Sequence, residues 1–157
     1  MRSKVVVSSA AYLIVRRRRV SCCHCLNCKK YTGTIFTTNV VFPAGVTSSP
    51  RSAKSISYSN THHNKSYRII NGEKLIAVYH DEAQDSGNPL ARHFCSQCGS
   101  PLFNTNGDFG RTMAVFYGAL EGFEHKAPEV EYYAKDRVEW LPEFSNTEKA
   151  QTKPGRD

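Results

Sequence analysis

The segment Cys23-His24-Cys25-Leu26-Asn27-Cys28 places three cysteines within six residues, and a further cysteine, Cys22, directly precedes it. A second pair lies in the segment Cys95-Ser96-Gln97-Cys98-Gly99. A small secreted domain spreads its cysteines along the chain as a disulfide frame, and disulfides across such short spacings would close strained rings. Clustered cysteines are instead typical of metal sites, in which thiolates bind Zn²⁺. The two clusters therefore predict zinc binding.

The two clusters differ in the kind of zinc site that they predict. In the second, two residues between the thiols let the chain turn back, and Gly99 supplies a positive φ, as in a zinc knuckle. A redox pair or two buried cysteines are the alternatives there. In the first, Cys23, Cys25 and Cys28 would leave the fourth tetrahedral position open, as in catalytic zinc sites. Alternatively, Cys22 or His24 closes that site and makes it structural.

Length and composition favour a single folded domain. The chain has 157 residues, of which 39% are hydrophobic, and this is typical of one domain rather than of a disordered chain. No stretch approaches the roughly 18 consecutive apolar residues of a membrane-spanning helix. A secretory signal is not indicated either, because the basic run at residues 16–19 follows the first apolar segment instead of preceding it. We expect a cytoplasmic protein, with nuclear and mitochondrial locations as alternatives.

Basic residues are concentrated in the first half of the chain. The formal net charge is +7, but residues 1–72 contain twelve Lys or Arg and no Asp or Glu. This asymmetry is typical either of a protein with an anionic partner, such as a nucleic acid, or of a solvated basic face. In the second half, Asp81, Glu82, Glu129 and Glu131 are predicted to be solvated charges.

Short segments rich in Val, Ile, Thr and aromatic residues alternate with turn residues, a pattern that predicts an all-β domain. Strands are predicted at residues 5–7, 11–15, 35–42, 66–70, 75–80, 90–94, 101–105, 112–117 and 130–134. The strands on either side of Asn71-Gly72 are predicted to form a β-hairpin. No helix longer than two turns is predicted. We divide the chain into a basic N-terminal segment at residues 1–19, a zinc domain at residues 20–143 and a polar tail at residues 144–157, disordered from Ser145 onwards.

Together, the two clusters and their flanking residues resemble the glutathione-dependent formaldehyde-activating enzyme family, which includes the centromere protein V domain. The resemblance rests on residues 23–33, with the sequence CHCLNCKKYTG, and on residues 92–103, with the sequence RHFCSQCGSPLF. Residues 116–120 and 136–141 are similar to the family in a weaker way. The resemblance covers residues 20–143, most of the chain.

The resemblance implies a fold similar to the Mss4-like β-tent, built of short antiparallel strands, with two zinc ions. Cys23, Cys25 and Cys28 match the ligands of the catalytic zinc, and Cys95 and Cys98 match half of a four-cysteine structural site. The other half, an N-terminal C-x-C in the family, has no counterpart, because residues 1–21 contain no cysteine. We expect either that an N-terminal segment is missing or that the chain is a degenerate member of the family.

The resemblance also implies a reaction, the addition of glutathione to formaldehyde or a related aldehyde to give S-(hydroxymethyl)glutathione, a carbon–sulfur lyase-type activity. Zinc at the three-cysteine site would activate the thiol. Lys29, Lys30 and Arg92 are candidates to contact the glutathione carboxylates, although solvent exposure is an equal alternative for each. The competing hypotheses are a zinc-stabilised module that binds nucleic acid or chromatin without catalysis, and an inactive, truncated family member.

The unequal completeness of the two clusters yields a prediction about metal content. Two thiolates hold zinc far less tightly than a full ligand set, so we expect about one zinc ion per purified chain rather than two. Elemental analysis measures the stoichiometry, and alkylation followed by mass spectrometry should find Cys95 and Cys98 reactive. Two tightly held ions, with both of these cysteines protected, would contradict the prediction.

Overall fold

The computed structural model describes residues 6–8, 19–43, 68–84, 86–106, 112–121 and 126–152. Within these ranges the chain contains one α-helix, α1 (Leu26–Thr32), and short 3₁₀ helices at Glu73–Leu75, Tyr117–Ala119 and Ala134–Asp136. The described strands are β1 (Val6–Ser8), β2 (Val20–Cys23), β3 (Thr37–Pro43), β4 (Arg68–Asn71), β5 (Ile76–Asp81), β6 (Leu90–Cys95), β7 (Pro101–Asn106), β8 (Thr112–Phe116), β9 (Leu120–Glu121), β10 (Val130–Tyr132) and β11 (Glu148–Ala150).

Most of these strands form one mixed sheet of eight strands in the order β11-β10-β2-β3-β8-β7-β6-β5. The run from β2 to β5 is antiparallel throughout, whereas β10 lies parallel to both β2 and β11. A smaller sheet has the order β4-β1-β9. The predicted all-β fold is therefore confirmed.

One face of the large sheet packs into the apolar core. The register places Val40 opposite both Val20 and Val115, and places Phe42 opposite Met113. Because side chains alternate between the two faces of a strand, these residues share one face. The core cluster that they form also includes one residue of the smaller sheet and three residues of the β6–β7 hairpin. Its buried members are Val20, Val40, Phe42, Cys95, Leu102, Phe103, Met113, Val115 and Leu120.

The opposite face of the same sheet is polar although it is buried. Its side chains alternate with the core residues along β2, β3, β7 and β6, and they include Ser21, Thr37, Asn39, Asn104 and Arg92. Helix α1 covers part of this face, since the ring of Tyr31 packs 5.8 Å from the ring of Phe116 and beneath the guanidinium of Arg92. The fold thus places a helix over a sheltered polar surface.

Helix α1 is short and has a defined cap at each end. Cys25 is its N-cap residue, and the sulfur of this side chain accepts a hydrogen bond from the backbone N–H of Cys28. The helix ends at Thr32, and its C-cap is Gly33, whose φ of 67° is left-handed and whose N–H donates to the carbonyl of Lys29. Seven residues make about two turns, and within the described residues no longer helix is found.

Two predictions about secondary structure are wrong, one about a β-hairpin and one about the tail. Residues 68–71 and 76–81 do not pair with each other: β4 pairs with β1, and β5 pairs with β6. After Asn71-Gly72 the chain enters a 3₁₀ turn, in which the N–H of Leu75 donates to the carbonyl of Gly72. Strand β4 therefore belongs to the smaller sheet and β5 to the larger one. The tail is also ordered at residues 148–150, because β11 adds to the free edge of β10.

Several predictions concern residues outside the described ranges. The predicted strand at residues 11–15 and Arg16, Arg17 and Arg18 of the basic run lie there, and so do residues 44–67 and the end of the tail. In the described part of the chain, no helix is long and apolar enough to cross a membrane. The hairpin around the second cysteine pair, by contrast, is confirmed, with β6 and β7 as its strands.

The core assignment can be tested by truncating one of its side chains. Leu102 is fully buried in the core cluster, so Leu102→Ala should lower the free energy of unfolding by about 3 kcal/mol through lost burial and a residual cavity. The matched control is Leu26→Ala, because Leu26 is 63% exposed, and its effect should stay within about 0.5 kcal/mol. Chemical denaturation of the three proteins measures both values; equal effects would show that the core is wrongly placed.

Candidate metal centre

The strand β2 and the helix α1 bring three thiols together. Cys23 is the last residue of β2, Cys25 caps the helix, and Cys28 lies in its first turn. The Cys23 sulfur lies 3.5 Å from the Cys25 sulfur, and all three sulfur atoms lie within 4.8 Å of one another. Among the described residues this is the one group of three or more Cys, His, Asp or Glu side chains arranged in this way.

The three thiols of the cluster differ in pKa. Hydrogen bonds from Cys23 and Cys25 lower the pKa of Cys28 to about 3, and the charge of Arg92 and the hydroxyl of Thr37 act in the same direction against the effect of burial. Hydrogen bonding to Cys25 and Cys28, together with burial, raises the pKa of Cys23. Within the cluster, the neighbouring thiols therefore favour the thiolate at Cys28 and disfavour it at Cys23.

The geometry of the three sulfurs fits a tetrahedral metal ion. Two thiolates bound to one zinc at about 2.3 Å are separated by about 3.8 Å, and the Cys23–Cys25 distance of 3.5 Å is close to this value. Thiolates are also the softest protein ligands and suit Zn²⁺ well. The cluster could thus hold a metal ion with little rearrangement of the backbone.

Neither Cys22 nor His24 joins the three thiols. The Cys22 side chain lies on the other face of β2, where its sulfur is 3.8 Å from the Thr38 hydroxyl and burial raises its pKa to about 11. The His24 ring is fully buried and pairs instead with Glu131, at 2.9 Å from Nε2 to Oε2. Within the described structure, these two residues do not complete a fourth position.

A buried carboxylate supports the loop that carries the cysteines. Glu131 is fully buried, contrary to its prediction as a solvated charge, and its Oε2 accepts from His24 Nε2 and from Arg137 Nε at 3.0 Å. Burial lowers the pKa of His24 and so favours the neutral imidazole, whose Nε2 faces the carboxylate as a donor. The backbone N–H of His24 also donates to the carbonyl of Tyr132. Strand β10 therefore fixes the loop between Cys23 and Cys25 from two directions.

A second buried ion pair lies on the polar face beneath α1. Arg92 is fully buried, and its Nε donates to Asp81 Oδ2 at 2.6 Å. Asp81 was predicted to be solvated, and this is wrong: the register sets the residue diagonal to Arg92 on adjacent strands, where the two charges meet. Of the other candidate cations, Lys29 donates to the Asp136 carbonyl, and Lys30 is exposed.

The second cysteine pair has the predicted hairpin geometry, but the described residues offer it no third ligand. Gly99 has a φ of 70°, as predicted, and its N–H donates to the carbonyl of Cys95. The Cys95 side chain is fully buried in the core, whereas Cys98 is exposed with its sulfur 3.1 Å from the Ser100 hydroxyl. In the described ranges, no His, Cys, Asp or Glu joins them in a group of three. Their role as zinc ligands remains a prediction.

These features define a mostly β protein with a three-thiol cluster that could bind a metal ion. The family model of the glutathione-dependent formaldehyde-activating enzyme matches residues 49–136, more than half of the chain. The chain belongs to this family. The matched range contains Arg92, Cys95 and Cys98, and the three-cysteine cluster precedes it. A search of curated proteins found no match to the chain.

Some residues of the site could not be recognised from local sequence. Glu131 and Asp81 look like ordinary charged residues, and only their pairing across the fold shows that they are buried. Gln84, which Arg92 contacts at 3.4 Å, also lacks a local signal. Alternation along β6 and β5 would have been the best available clue, since it places Arg92, Tyr79 and Asp81 on one face.

Replacing one thiol of the cluster tests its role in metal binding. Cys25→Ser removes one of three ligands, so we expect the variant to lose the zinc that the wild-type protein retains after dialysis. Cys22→Ser is the matched control, because it removes a buried neighbouring thiol that faces Thr38, and it should keep its zinc. Elemental analysis decides the matter; a Cys25→Ser protein with full zinc content would contradict the assignment.

Proposed function

We propose that the protein catalyses the addition of glutathione to formaldehyde, giving S-(hydroxymethyl)glutathione, with Cys23, Cys25 and Cys28 as the ligands of a catalytic zinc ion. The observation that supports this most directly is the convergence of their three sulfurs within 4.8 Å of one another. Three protein ligands are the usual number in catalytic zinc sites, whereas structural sites have four. Membership of the family supplies the thiol and the aldehyde as the substrate classes.

The reaction makes one bond and involves no oxidation. A sulfur–carbon bond forms between the thiol and the aldehyde carbon, the carbonyl π pair moves to oxygen, and the proton lost by the thiol is balanced by the one that the oxygen gains. The thiol group of glutathione is mostly protonated at neutral pH, so catalysis requires that the thiolate form be stabilised. Bound Zn²⁺ would supply this, since coordination deprotonates a thiol.

The surroundings of the cluster suit this task. Hydrogen bonds from Cys23 and Cys25 lower the pKa of Cys28 and so favour its thiolate, the form in which cysteine binds a metal ion. Glu131 holds His24 away from the sulfurs, which keeps the imidazole from acting as a fourth ligand. The chain would thereby contribute three soft ligands at the junction of β2 and α1 and leave the remaining coordination to the substrate.

The alternative of a nucleic-acid-binding module rests on the excess of twelve basic residues in residues 1–72. Within the described part of that segment, two of these charges have internal partners. Arg19 pairs with Glu148, and Lys29 donates to the Asp136 carbonyl. Cations engaged in this way are less available to phosphates, so the described residues favour the enzymatic function over this alternative.

The proposed activity can be measured as the glutathione-dependent loss of free formaldehyde. The zinc-loaded protein should raise the initial rate above that of buffer and glutathione alone, and the increase should saturate with glutathione. Cys25→Ser should return the rate to the uncatalysed value, while Cys22→Ser should keep it. A zinc-loaded wild-type protein with no rate above background would rule out the proposed function, and salt-sensitive retention on DNA would then favour the alternative.

A further inference from the structure

Three buried hydrogen-bond donors without an acceptor lie together on the polar face of the sheet. They are Nη1 of Arg92, the hydroxyl of Tyr31 and Nε2 of Gln84, and none of them has a hydrogen-bond partner among the described residues. Buried donors are almost always paired in native proteins, because leaving them unpaired costs free energy. The arrangement therefore points to an acceptor that the described residues do not supply.

Close contacts join the three side chains into one group. The Arg92 guanidinium lies 4.6 Å from the centre of the Tyr31 ring, and its Nη2 donates to Gln84 Oε1 at 3.4 Å. Because arginine has no acceptor atom, Gln84 must turn its oxygen towards Arg92, and this leaves Nε2 as the donor. The segment bearing Gln84 is held against α1, since the Asn27 amide donates to the Ala83 carbonyl at 2.6 Å.

The group lies beside the three-thiol cluster. Tyr31 follows Cys28 by three residues on α1, so both side chains occupy the same side of the helix. Arg92 is close enough for its charge to act on the Cys28 thiol. Tyr31 and Gln84 are only half-buried as whole residues, so the donors lie just beneath the surface next to the sulfurs.

We propose that Arg92, Tyr31 and Gln84 bind a carboxylate group of the thiol substrate, a specificity site that rests on the proposed function of the neighbouring cysteines. The number of donors decides between acceptor groups. A single carbonyl oxygen has two lone pairs, whereas a carboxylate offers about four acceptor positions and can satisfy three donors at once. Asp81 engages only the Nε edge of Arg92, so Nη1 is left for the ligand, and arginine is the side chain best matched to carboxylates.

A buried acceptor, the side-chain oxygen of Asn104, lies beside the same three donors and restricts the chemistry of the ligand further. Asn104 lies directly opposite Arg92 on β7, and its Oδ1 is buried with no hydrogen-bond partner in the described structure. A carboxylate with an adjacent N–H donor would satisfy it as well. Glutathione has two such ends: the γ-glutamyl end carries an ammonium beside its carboxylate, and the glycyl end carries an amide N–H.

Binding of S-methylglutathione and its esters tests the proposal without requiring a free thiol or turnover. Isothermal titration of the purified full-length chain should give a dissociation constant at least about tenfold higher for the dimethyl ester than for the diacid, the loss expected for a hydrogen bond to a charged group. The two monomethyl esters identify which carboxylate is bound, because only the ester at the bound end should weaken binding.

Variants of the donors give the second arm of the test. Gln84→Glu keeps the acceptor for Arg92 but replaces the Nε2 donor by an anionic oxygen, so binding of the diacid should weaken at least about tenfold while the dimethyl ester is unaffected. Tyr31→Phe keeps the ring against Arg92 and should weaken the diacid alone. Gln151→Glu makes the same change of charge at an exposed residue and should change neither ligand.

The outcomes separate this proposal from the proposed function. Equal affinity for the diacid and the dimethyl ester, no measurable binding of the diacid, or unchanged binding by Gln84→Glu would each overturn the carboxylate site, even if formaldehyde is consumed. Discrimination against the ester in a protein that does not accelerate formaldehyde loss would support the carboxylate site and reject the activity.

Discussion

A single buried carboxylate, that of Glu131, joins the parts of the molecule on which the cysteine cluster depends. It accepts from His24 in the cysteine loop and from Arg137 beyond β10. Arg137 in turn donates to the carbonyls of Leu141 and Pro142, so the C-terminal segment is tied to the same point. Removing one member of a buried charged group leaves the others uncompensated, which is among the most destabilising changes in a protein. The loop between Cys23 and Cys25 is thus held in place by a buried carboxylate and its partners, which lie outside the cluster itself.

The large sheet separates two kinds of interior. One face is a conventional apolar core, and its neighbours along the same strands form a buried polar layer beneath α1. A polar layer contributes less to stability than an apolar one, because its hydrogen bonds only replace those made with water. Its retention here, with several donors and acceptors unpaired in the described structure, is what is expected where a protein sacrifices stability for a ligand site.

Local patterns were sufficient for the parts of the site that are local in sequence. The spacing of Cys23, Cys25 and Cys28, the hairpin at Cys95 and Cys98 and the positive φ of Gly99 all follow from a few neighbouring residues, as do most of the strands. The errors arise where distant residues decide. Asp81 and Glu131 are buried because of partners on other strands, and β4 leaves its expected neighbour β5 because β1 offers it an edge. The sequence immediately around these residues does not identify their distant partners.

The link between His24 and Glu131 also has a consequence for biosynthesis. The two residues are separated by 107 positions, and a chain that leaves the ribosome at roughly 5–20 residues per second needs roughly 5–20 s to cover this interval. Throughout that time the cysteine loop lacks the strand that orients it, and its thiols are open to oxidants and to whichever metal arrives first. The oriented form of the cluster is therefore completed only late in the synthesis of the chain, after Glu131 has joined His24.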